Sequence, residues 1–252
     1  MSSIECFVPS MSGEDLQVTV ESLNRSDSFT GVTILSGVSL RETETLRSIA
    51  EALSQKYVLL YTKSLPLEMG MLALDRIISI AQDTKADMLY ADHYELIEGE
   101  SGQVIRRHPV IDCQKGALRD DFDFGSVLVF RTASFKKAVR AMETDRKWGA
   151  LYDLRLRMKN IVHINEYLYT EIETDLRKSG EKQFDYVDPK NRAVQVEMEE
   201  ICTDHLKRIG GWLAPVFKEP DSSQQDFPVT ATVVIPVFNR IRTVKDAVES
   251  AL

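Results

Sequence analysis

The chain has 252 residues and a formal net charge of −8, and 43% of its residues are hydrophobic and 28% charged. This composition is typical of a globular protein and excludes a disordered or collagen-like chain. The acidic balance argues against a dedicated nucleic-acid binder, which normally presents a basic face. The 3 cysteines, Cys6, Cys113 and Cys202, lie too far apart to indicate a disulfide framework or a zinc motif.

Membrane insertion and secretion are not indicated by the sequence. No apolar run approaches the roughly 20 residues that span a bilayer. The first residues, MSSIE, lack the basic and apolar regions of a signal peptide. We therefore expect a cytoplasmic protein without a transmembrane segment.

The part of the chain up to Asp92 alternates between strand-like and helix-like patterns. Ser12, followed by two acidic residues, predicts the start of a helix, and Leu16, Val20 and Leu23 lie at the spacing of one helical face. Four apolar runs predict strands at residues 5–9, 32–35, 57–61 and 87–92. Such alternation predicts right-handed crossovers and a mainly parallel sheet flanked by helices.

The remainder of the chain is less regular. Patterns predict a strand at 126–130, a helix at 135–142, a helix at 151–158, a strand at 161–164 and a helix of about 20 residues ending at Gly210-Gly211. Residues 219–228 have the polar, proline-containing composition of an exposed linker. A further strand at 229–238 and a helix at 243–252 are predicted after it.

A faint internal repeat links the two ends of the chain. CFVP (residues 6–9) leads to VESL (20–23), and VVIP (233–236) leads to VESAL (248–252). Two such strand–turn–helix openings indicate a duplicated α/β unit. We expect the second copy to be cut short and the chain to be a fragment of a longer protein.

The segment VVIPVFNR (233–240), followed by a helix that ends in ESAL, resembles the opening of family 2 glycosyltransferases. Residues 4–172 resemble the same family more diffusely. The segments YVLL (57–60), DMLYAD (87–92), GSVLVFR (125–131), YDLRLR (152–157) and VHINEYLY (162–169) occur in the family's order and approximate spacing.

This resemblance implies a GT-A fold, which is a Rossmann-like, mainly parallel α/β sheet flanked by helices, here with a C-terminal helical extension. It implies a transferase that moves a sugar from a nucleotide sugar to a glycan acceptor hydroxyl, in polysaccharide biosynthesis. The implied domains are a degenerate glycosyltransferase domain at 1–178, a helix and polar linker at 179–228, and the start of a second, truncated glycosyltransferase domain at 229–252.

The first domain is called degenerate because it lacks carboxylates at three positions where the family has them. The corresponding residues are Ser36 and Gly37 for the nucleoside, Tyr61, Thr62 and Lys63 for the metal, and Ala150 and Leu151 for the catalytic base. A hard divalent cation requires oxygen ligands, and a lysine repels it. A general base typically contributes about 10²–10⁴ in rate. We therefore expect the first domain to be noncatalytic and to bind no metal.

A divalent metal, Mn or Mg, is expected in the second domain of the parent protein. The resemblance assigns a set of residues to nucleotide-sugar binding, which agrees with the rule that ligands lie beyond the carboxyl ends of the strands. These residues are Pro9, Ser10, Ser36, Lys63, Asp92, Pro236, Phe238, Asn239 and Arg240. The catalytic residues remain unknown.

Two other functions stay open. The first domain could be an active, metal-independent transferase, with Lys63 facing the donor diphosphate in place of a metal. Alternatively, the chain could be a nonenzymatic α/β module that binds carbohydrate or a protein partner. For Lys63 itself, a solvated loop lysine is the preferred interpretation.

Other polar and aromatic residues receive structural interpretations. We expect His93 to be a surface-loop residue, His163 a strand residue with a hydrogen-bonded ring, and His108 and His205 to have no partners at metal-ligand spacing. Asp153 is expected on a helix face rather than acting in catalysis. A solvated turn is preferred over a cation site for residues 120–123, and packing is preferred over sugar stacking for the aromatic pair Trp148 and Tyr152.

Overall fold

A computed structural model of the protein describes residues 3–99, 102–114, 116–172, 191–219 and 230–252, without the side chains of residues 98 and 99. The chain divides into two units, Met1–Trp212 and Leu213–Leu252, which are described separately. The predicted domain boundary at residue 178 lies outside the described residues. Within the described ranges, no helix is long and apolar enough to cross a membrane.

The first five elements follow the predicted alternation. They are β1 (Ile4–Pro9), α1 (Gly13–Leu23), β2 (Phe29–Leu35), α2 (Thr43–Ala52) and β3 (Tyr57–Tyr61). The predicted start of α1 is confirmed, because the side chain of its N-cap Ser12 accepts a hydrogen bond from the amide of Asp15 at 3.2 Å. β1 pairs in parallel with β2 on one side and with β3 on the other.

The middle of the unit contains more strand than the sequence analysis predicted. The next elements are β4 (Leu67–Met69), α3 (Ala73–Thr84), β5 (Met88–Gly99), β6 (Gly102–His108) and β7 (Val127–Arg131). β5 continues well past the predicted end at Asp92 and forms an antiparallel pair with β6.

The unit closes with α4 (Thr132–Arg140), α5 (Ala150–Leu156), β8 (Ile161–Ile172) and α6 (Arg192–Ile209). α6 is the predicted C-terminal helix. It ends at Gly210, whose left-handed backbone (φ 73°) is the usual way to stop a helix.

The strands form one 8-stranded sheet in the order β2-β1-β3-β7-β5-β8-β4, with β6 paired to β5. β5 and β8 are parallel, whereas β7 is antiparallel to both β3 and β5. Because β3 and β5 are both antiparallel to β7, they run in the same direction. The strands β1, β2, β3, β5 and β8 therefore share one direction, and the mainly parallel sheet is confirmed.

Two apolar layers cover the two faces of this sheet. Neighbouring residues of a strand point to opposite faces, so Leu59 packs into a cluster with Leu23 and Ile77 from α1 and α3. Leu60 packs on the other side with Leu46 of α2 and Phe135 of α4. The result is an α/β/α arrangement with the sheet in the middle.

In the second unit, the strand predicted at 229–238 is absent from the part that the structure describes, residues 230–238. A strand needs a neighbour for its backbone hydrogen bonds, and no strand lies among the described residues of Leu213–Leu252. The apolar side chains Val234 and Phe238 are consequently 81% and 92% exposed. A helix does form, α7 (Val244–Glu249), although it is shorter than predicted. The proposed start of a second glycosyltransferase domain stays a prediction.

Candidate functional site

The carboxyl ends of β1, β2 and β3 lie at one edge of the sheet, where the sequence analysis expects the ligand. β7 runs in the opposite direction, so its beginning lies at this same edge. Tyr61 pairs with Val127, and the Thr62 amide donates to the carbonyl of Ser126 at 3.0 Å. The polar residues after β3 and before β7 are therefore neighbours.

Lys63, at the position implied for the metal motif, forms an ion pair with Glu171 near the end of β8. The Lys63 Nζ lies 2.5 Å from the Glu171 Oε1, and the Glu171 side chain is 3% exposed. The second carboxylate oxygen, Oε2, accepts a hydrogen bond from the Ser126 hydroxyl. Both oxygens of this buried carboxylate are thus occupied by groups of the chain itself.

The surroundings of Glu171 favour its ionised form. Burial alone would raise the pKa of Glu171, but hydrogen bonds from His93, Lys63 and Ser126 hold it below the usual value for a glutamate. The preferred interpretation of Lys63 as a solvated loop lysine is wrong, since its side chain is 23% exposed and paired. Its partner is 108 residues away in the sequence, which is why local patterns did not reveal it.

His93 is buried in the sheet rather than exposed on a loop. It is 1% exposed, and its ring stacks on Tyr169 with the centroids 4.9 Å apart. Its Nε2 lies 3.3 Å from the Glu171 Oε1. The prediction of a surface histidine is wrong because β5 continues past Asp92. The pairing register between β5 and β8 also shifts at this point, which aligns His93 with Tyr169.

A second group of ionisable side chains adjoins His93. Glu95 Oε1 lies 3.0 Å from His108 Nδ1 and 4.0 Å from His93 Nε2. The Glu95 Oε2 accepts from Arg106 at 2.6 Å, and the His108 Nε2 lies 2.7 Å from Asp123 Oδ2. The prediction that His108 has no partners at metal-ligand spacing is wrong. One ligand atom each from His93, Glu95 and His108 lies within 4.8 Å of the others, so this group could hold a metal ion.

Burial and ion pairing shift the pKa values of Glu95 and His108 in opposite directions. Burial favours the neutral form of Glu95, but Arg106 and His108 hold its pKa below the usual value. Burial would lower the pKa of His108, but Asp123 and Glu95 hold it above the usual value.

Asp92, assigned to nucleotide-sugar binding, is 1% exposed and bonded within the protein. Its Oδ1 accepts from the Val110 amide at 2.9 Å and lies 2.9 Å from His163 Nε2. The other ring nitrogen of His163 lies 2.7 Å from Asp112 Oδ1. The interpretation of His163 as a strand residue with a hydrogen-bonded ring is confirmed.

The positions assigned to the nucleoside lie side by side at the ends of β1 and β2. Pro9 pairs with Leu35, and the Ser10 amide donates to the Leu35 carbonyl at 3.2 Å. Ser10, Ser36 and Gly37 are exposed. These positions present hydroxyl and backbone groups but no carboxylate.

The positions implied for the catalytic base lie at the start of α5. Ala150 is fully buried and Leu151 half-buried. The carboxylate of Asp153, which is in the same helix, lies 2.8 Å from the Nε of Arg157 in an ion pair. Asp153 is therefore a bonded residue on a helix face, as expected.

A carboxylate from α6 is bonded to the backbone at the same helix start. Glu197 accepts hydrogen bonds from the amides of Lys147, Trp148 and Gly149 at 3.0, 2.8 and 2.7 Å. A side chain on Gly149 would lie 2.3 Å from Ile201 Cδ1, so the glycine allows α6 to approach closely. α6 is thereby docked at the start of α5, within the first unit.

The structure also places Asp121, Asp123 and Tyr152, for which the sequence left alternatives open. Asp121 pairs with Arg119 at 2.8 Å, and Asp123 pairs with His108 as described. The Tyr152 hydroxyl donates to the Leu118 carbonyl, and Tyr152 is 7% exposed. Tyr152 thus packs inside the protein, as expected.

The other four residues assigned to nucleotide-sugar binding lie in the second unit. Pro236, Phe238, Asn239 and Arg240 are exposed. The Arg240 carbonyl accepts from the amides of Thr243 and Val244 at 3.2 and 3.1 Å, so this segment leads into α7.

A depression of about 630 Å³ lies at the opposite edge of the sheet, where β1, β2 and β3 begin. Ser3, Ser28, Lys56 and Asp75 are among its lining residues. The Asp75 carboxylate there accepts hydrogen bonds from Ser26 and Ser28 at 2.8 Å each. This depression is far from the strand ends where a ligand is expected, and it coincides with none of the predicted site residues.

No protein-family model and no curated protein matches the sequence. Among solved structures, Staphylococcus aureus TarS 1–349 in complex with UDP-GlcNAc matches with a TM-score of 0.50 and 13% identity, over 82% of this chain and 72% of that chain. The fold is of the GT-A type. The GT-A fold implied by the resemblance is therefore confirmed.

Two further structures match at lower scores. TarS 1–349 itself gives a TM-score of 0.46 with 10% identity, over 81% of this chain and 80% of that chain. The mannosyltransferase PcManGT from Pyrobaculum calidifontis, in complex with GDP-Man and Mn²⁺, gives a TM-score of 0.45 with 9% identity, over 84% of this chain and 65% of that chain.

A connected group of side chains lies near the end of β3 in the sheet of the present chain. It consists of Lys63, Ser126, His93 and Glu171.

Proposed function

We propose that residues 3–172 form a noncatalytic GT-A domain of a family 2 glycosyltransferase. The parent protein transfers a sugar from a nucleotide-sugar donor to an acceptor hydroxyl. The metal and the base that this reaction uses belong to a second domain, which begins near residue 229. The fold supports the transferase assignment, and the Lys63–Glu171 ion pair supports the absence of catalysis in the first domain.

The ion pair is the observation that carries the proposal. A metal at this position would need free carboxylate oxygens, and both oxygens of Glu171 are taken, by Lys63 and by Ser126. The ammonium group adds repulsion of roughly 4 kcal/mol per unit of cation charge at about 4 Å, with an effective dielectric constant of about 20. A donor diphosphate held through a divalent metal is therefore disfavoured here.

The base position supports the same conclusion. Ala150 and Leu151 cannot accept a proton, and the neighbouring carboxylates of Asp153 and Glu197 are committed to Arg157 and to backbone amides. Loss of the metal removes several kcal/mol of stabilisation of the leaving group. Loss of the base removes about 10²–10⁴ in rate. Together these losses leave a fold that can position a partner but cannot run the reaction.

Calorimetric titration of the full chain with UDP-GlcNAc and with GDP-Man, each with and without Mn²⁺, tests the proposal. We expect no binding that depends on Mn²⁺ and no release of nucleotide from either donor. The variant Lys63→Asp removes the ammonium and adds a carboxylate beside Glu171, so weak Mn²⁺ binding should appear in it and not in Lys63→Gln. Mn²⁺-dependent donor binding by the unmodified chain would contradict the proposal.

A further inference from the structure

The β5–β6 hairpin brings three metal-binding side chains together on one face. His93 and His108 are directly opposite each other in the antiparallel ladder, where side chains of a pair lie close. Glu95 is two residues beyond His93, so it projects from the same face. The two imidazole rings stack with their centroids 4.5 Å apart.

The outer atoms of these side chains are held by neighbours, which leaves the inner atoms to converge. Arg106 binds the Glu95 Oε2, so Oε1 points inward. Asp123 binds the His108 Nε2, so Nδ1 points inward, 3.0 Å from that Oε1. A carboxylate on the far nitrogen of a histidine is the usual outer partner of a metal-bound imidazole, because it fixes the ring and raises its basicity.

His93 supplies the third ligand. Its ring is 1% exposed, and its Nε2 is the nitrogen that faces the cluster, 4.0 Å from the Glu95 Oε1. The same nitrogen lies 3.3 Å from the Glu171 Oε1, so an ion bound to it replaces that contact.

We propose that His93, Glu95 and His108 bind one divalent transition-metal ion of the Zn²⁺ class. Two imidazoles and one carboxylate suit zinc, nickel or copper better than magnesium or manganese. The three ligand atoms lie within 4.8 Å of one another. Ligands of a single Zn²⁺ are roughly 3.4 Å apart, given bonds of about 2.1 Å, so binding an ion draws the three side chains slightly closer together.

This site is distinct from the position after β3 that the resemblance implies for the metal of the nucleotide-sugar donor. Its ligands come from within one hairpin, so an ion bound there joins β5 to β6. Glu171 stays with Lys63 and Ser126, and three protein ligands leave the fourth position of the ion to water. The ion stabilises the β5–β6 hairpin.

Competition with a chromophoric chelator tests the site on the full chain without any nucleotide. We expect one Zn²⁺ per chain, an affinity loss of about 100-fold or more in His108→Gln, and a loss of about 10–100-fold in Asp123→Asn. His205→Gln is the matched control, because His205 lies on α6 beside Arg208, and its affinity should equal that of the unmodified chain. Equal affinities in all four proteins would overturn the proposal.

Absorption of the Co²⁺-loaded chain identifies the ligands. Bands of tetrahedral or five-coordinate Co²⁺ without a thiolate charge-transfer band are expected, and their loss in His108→Gln supports the site. A thiolate band would assign the ion to a cysteine and overturn the proposal. If His108→Gln fails to fold by circular dichroism, Asp123→Asn carries the same comparison, since the Asp123 side chain is 55% exposed. The Mn²⁺ and nucleotide titrations of the full chain test the position after β3 instead, so neither result here decides them.

Discussion

Of the three positions that lack the family's carboxylates, those implied for the metal and for the base are occupied in different ways. At the metal position, Lys63 and Glu171 form an ion pair inside the sheet, with Glu171 3% exposed. At the base position, the carboxylate comes from α6, where Glu197 bonds to backbone amides at the start of α5. The first arrangement depends on the sheet alone, and the second depends on the docking of a helix. The loss of catalysis that we propose is therefore compatible with retention of a well-bonded fold.

The largest expected effect follows from breaking the first arrangement. Glu171→Gln leaves the Lys63 ammonium against a neutral amide in a buried site, and we expect a loss of about 3–5 kcal/mol in the free energy of unfolding. Urea unfolding monitored by circular dichroism measures it. Glu166→Gln on the same strand is the matched control, since its side chain is 43% exposed and its ion pair lies at the surface.

A double variant separates the contribution of the ion pair from the cost of burying one unpaired charge. Replacing both residues, Lys63→Met with Glu171→Leu, removes the uncompensated charge, and such a change is often neutral or stabilising. We therefore expect the double variant to recover most of the stability that Glu171→Gln loses. A double variant as unstable as Glu171→Gln would show that the ion pair is not the relevant interaction.

A smaller and more local effect is expected at the base position. Glu197→Ala removes three amide hydrogen bonds and should destabilise the docking of α6 by about 1–3 kcal/mol. Amide hydrogen exchange should become faster in α6 and remain unchanged in β1 and β3. Glu199→Ala, an exposed change on the same helix, controls for helix propensity. Uniformly faster exchange across the sheet would contradict the local role of Glu197.

The smallest effect on stability is expected from a substitution of Asp87, which lies outside both positions. Its carboxylate accepts from Ser134 at 2.5 Å and from the amides of Lys159 and Asn160 at 3.1 Å each. Burial would raise the pKa of Asp87, but these hydrogen bonds hold it below the usual value. The stabilisation is therefore present above about pH 4 and is lost as the pH falls through the lowered pKa.

The expected difference in unfolding free energy between the unmodified chain and Asp87→Asn is about 0.5–1 kcal/mol at neutral pH, because solvent screens the site. It should shrink below about pH 4. Denaturant unfolding at a series of pH values measures this difference. Asp83→Asn, an exposed change on α3, is the control. A difference that grows on acidification would reverse the assigned sign.

Local patterns were sufficient to predict β1, β2, β3 and their helices, since buried strands and amphipathic helices have a clear periodicity. The β5–β6 hairpin was missed although HYEL (93–96) alternates polar and apolar residues and a glycine-containing sequence, GESG (99–102), follows, which together are a hairpin signal. The strand predicted at 229–238 failed because apolar character alone does not supply a pairing partner.

The site could be predicted in part. The absence of carboxylates at the ends of β2 and β3 is visible in the sequence, whereas the partner of Lys63 is not, because Glu171 reaches it through the register of β8. The burial of His93 was hidden for the same reason. Long-range strand pairing determines both, and a single sequence carries no direct signal for it.

Anomalous diffraction at the manganese edge, from crystals of the chain soaked with Mn²⁺ and UDP-GlcNAc, tests whether the position after β3 is closed to a divalent metal. We expect no manganese peak between the end of β3 and Glu171, and an intact ion pair between Glu171 and Lys63. A manganese ion held there by carboxylate oxygens and by the donor diphosphate would contradict this expectation.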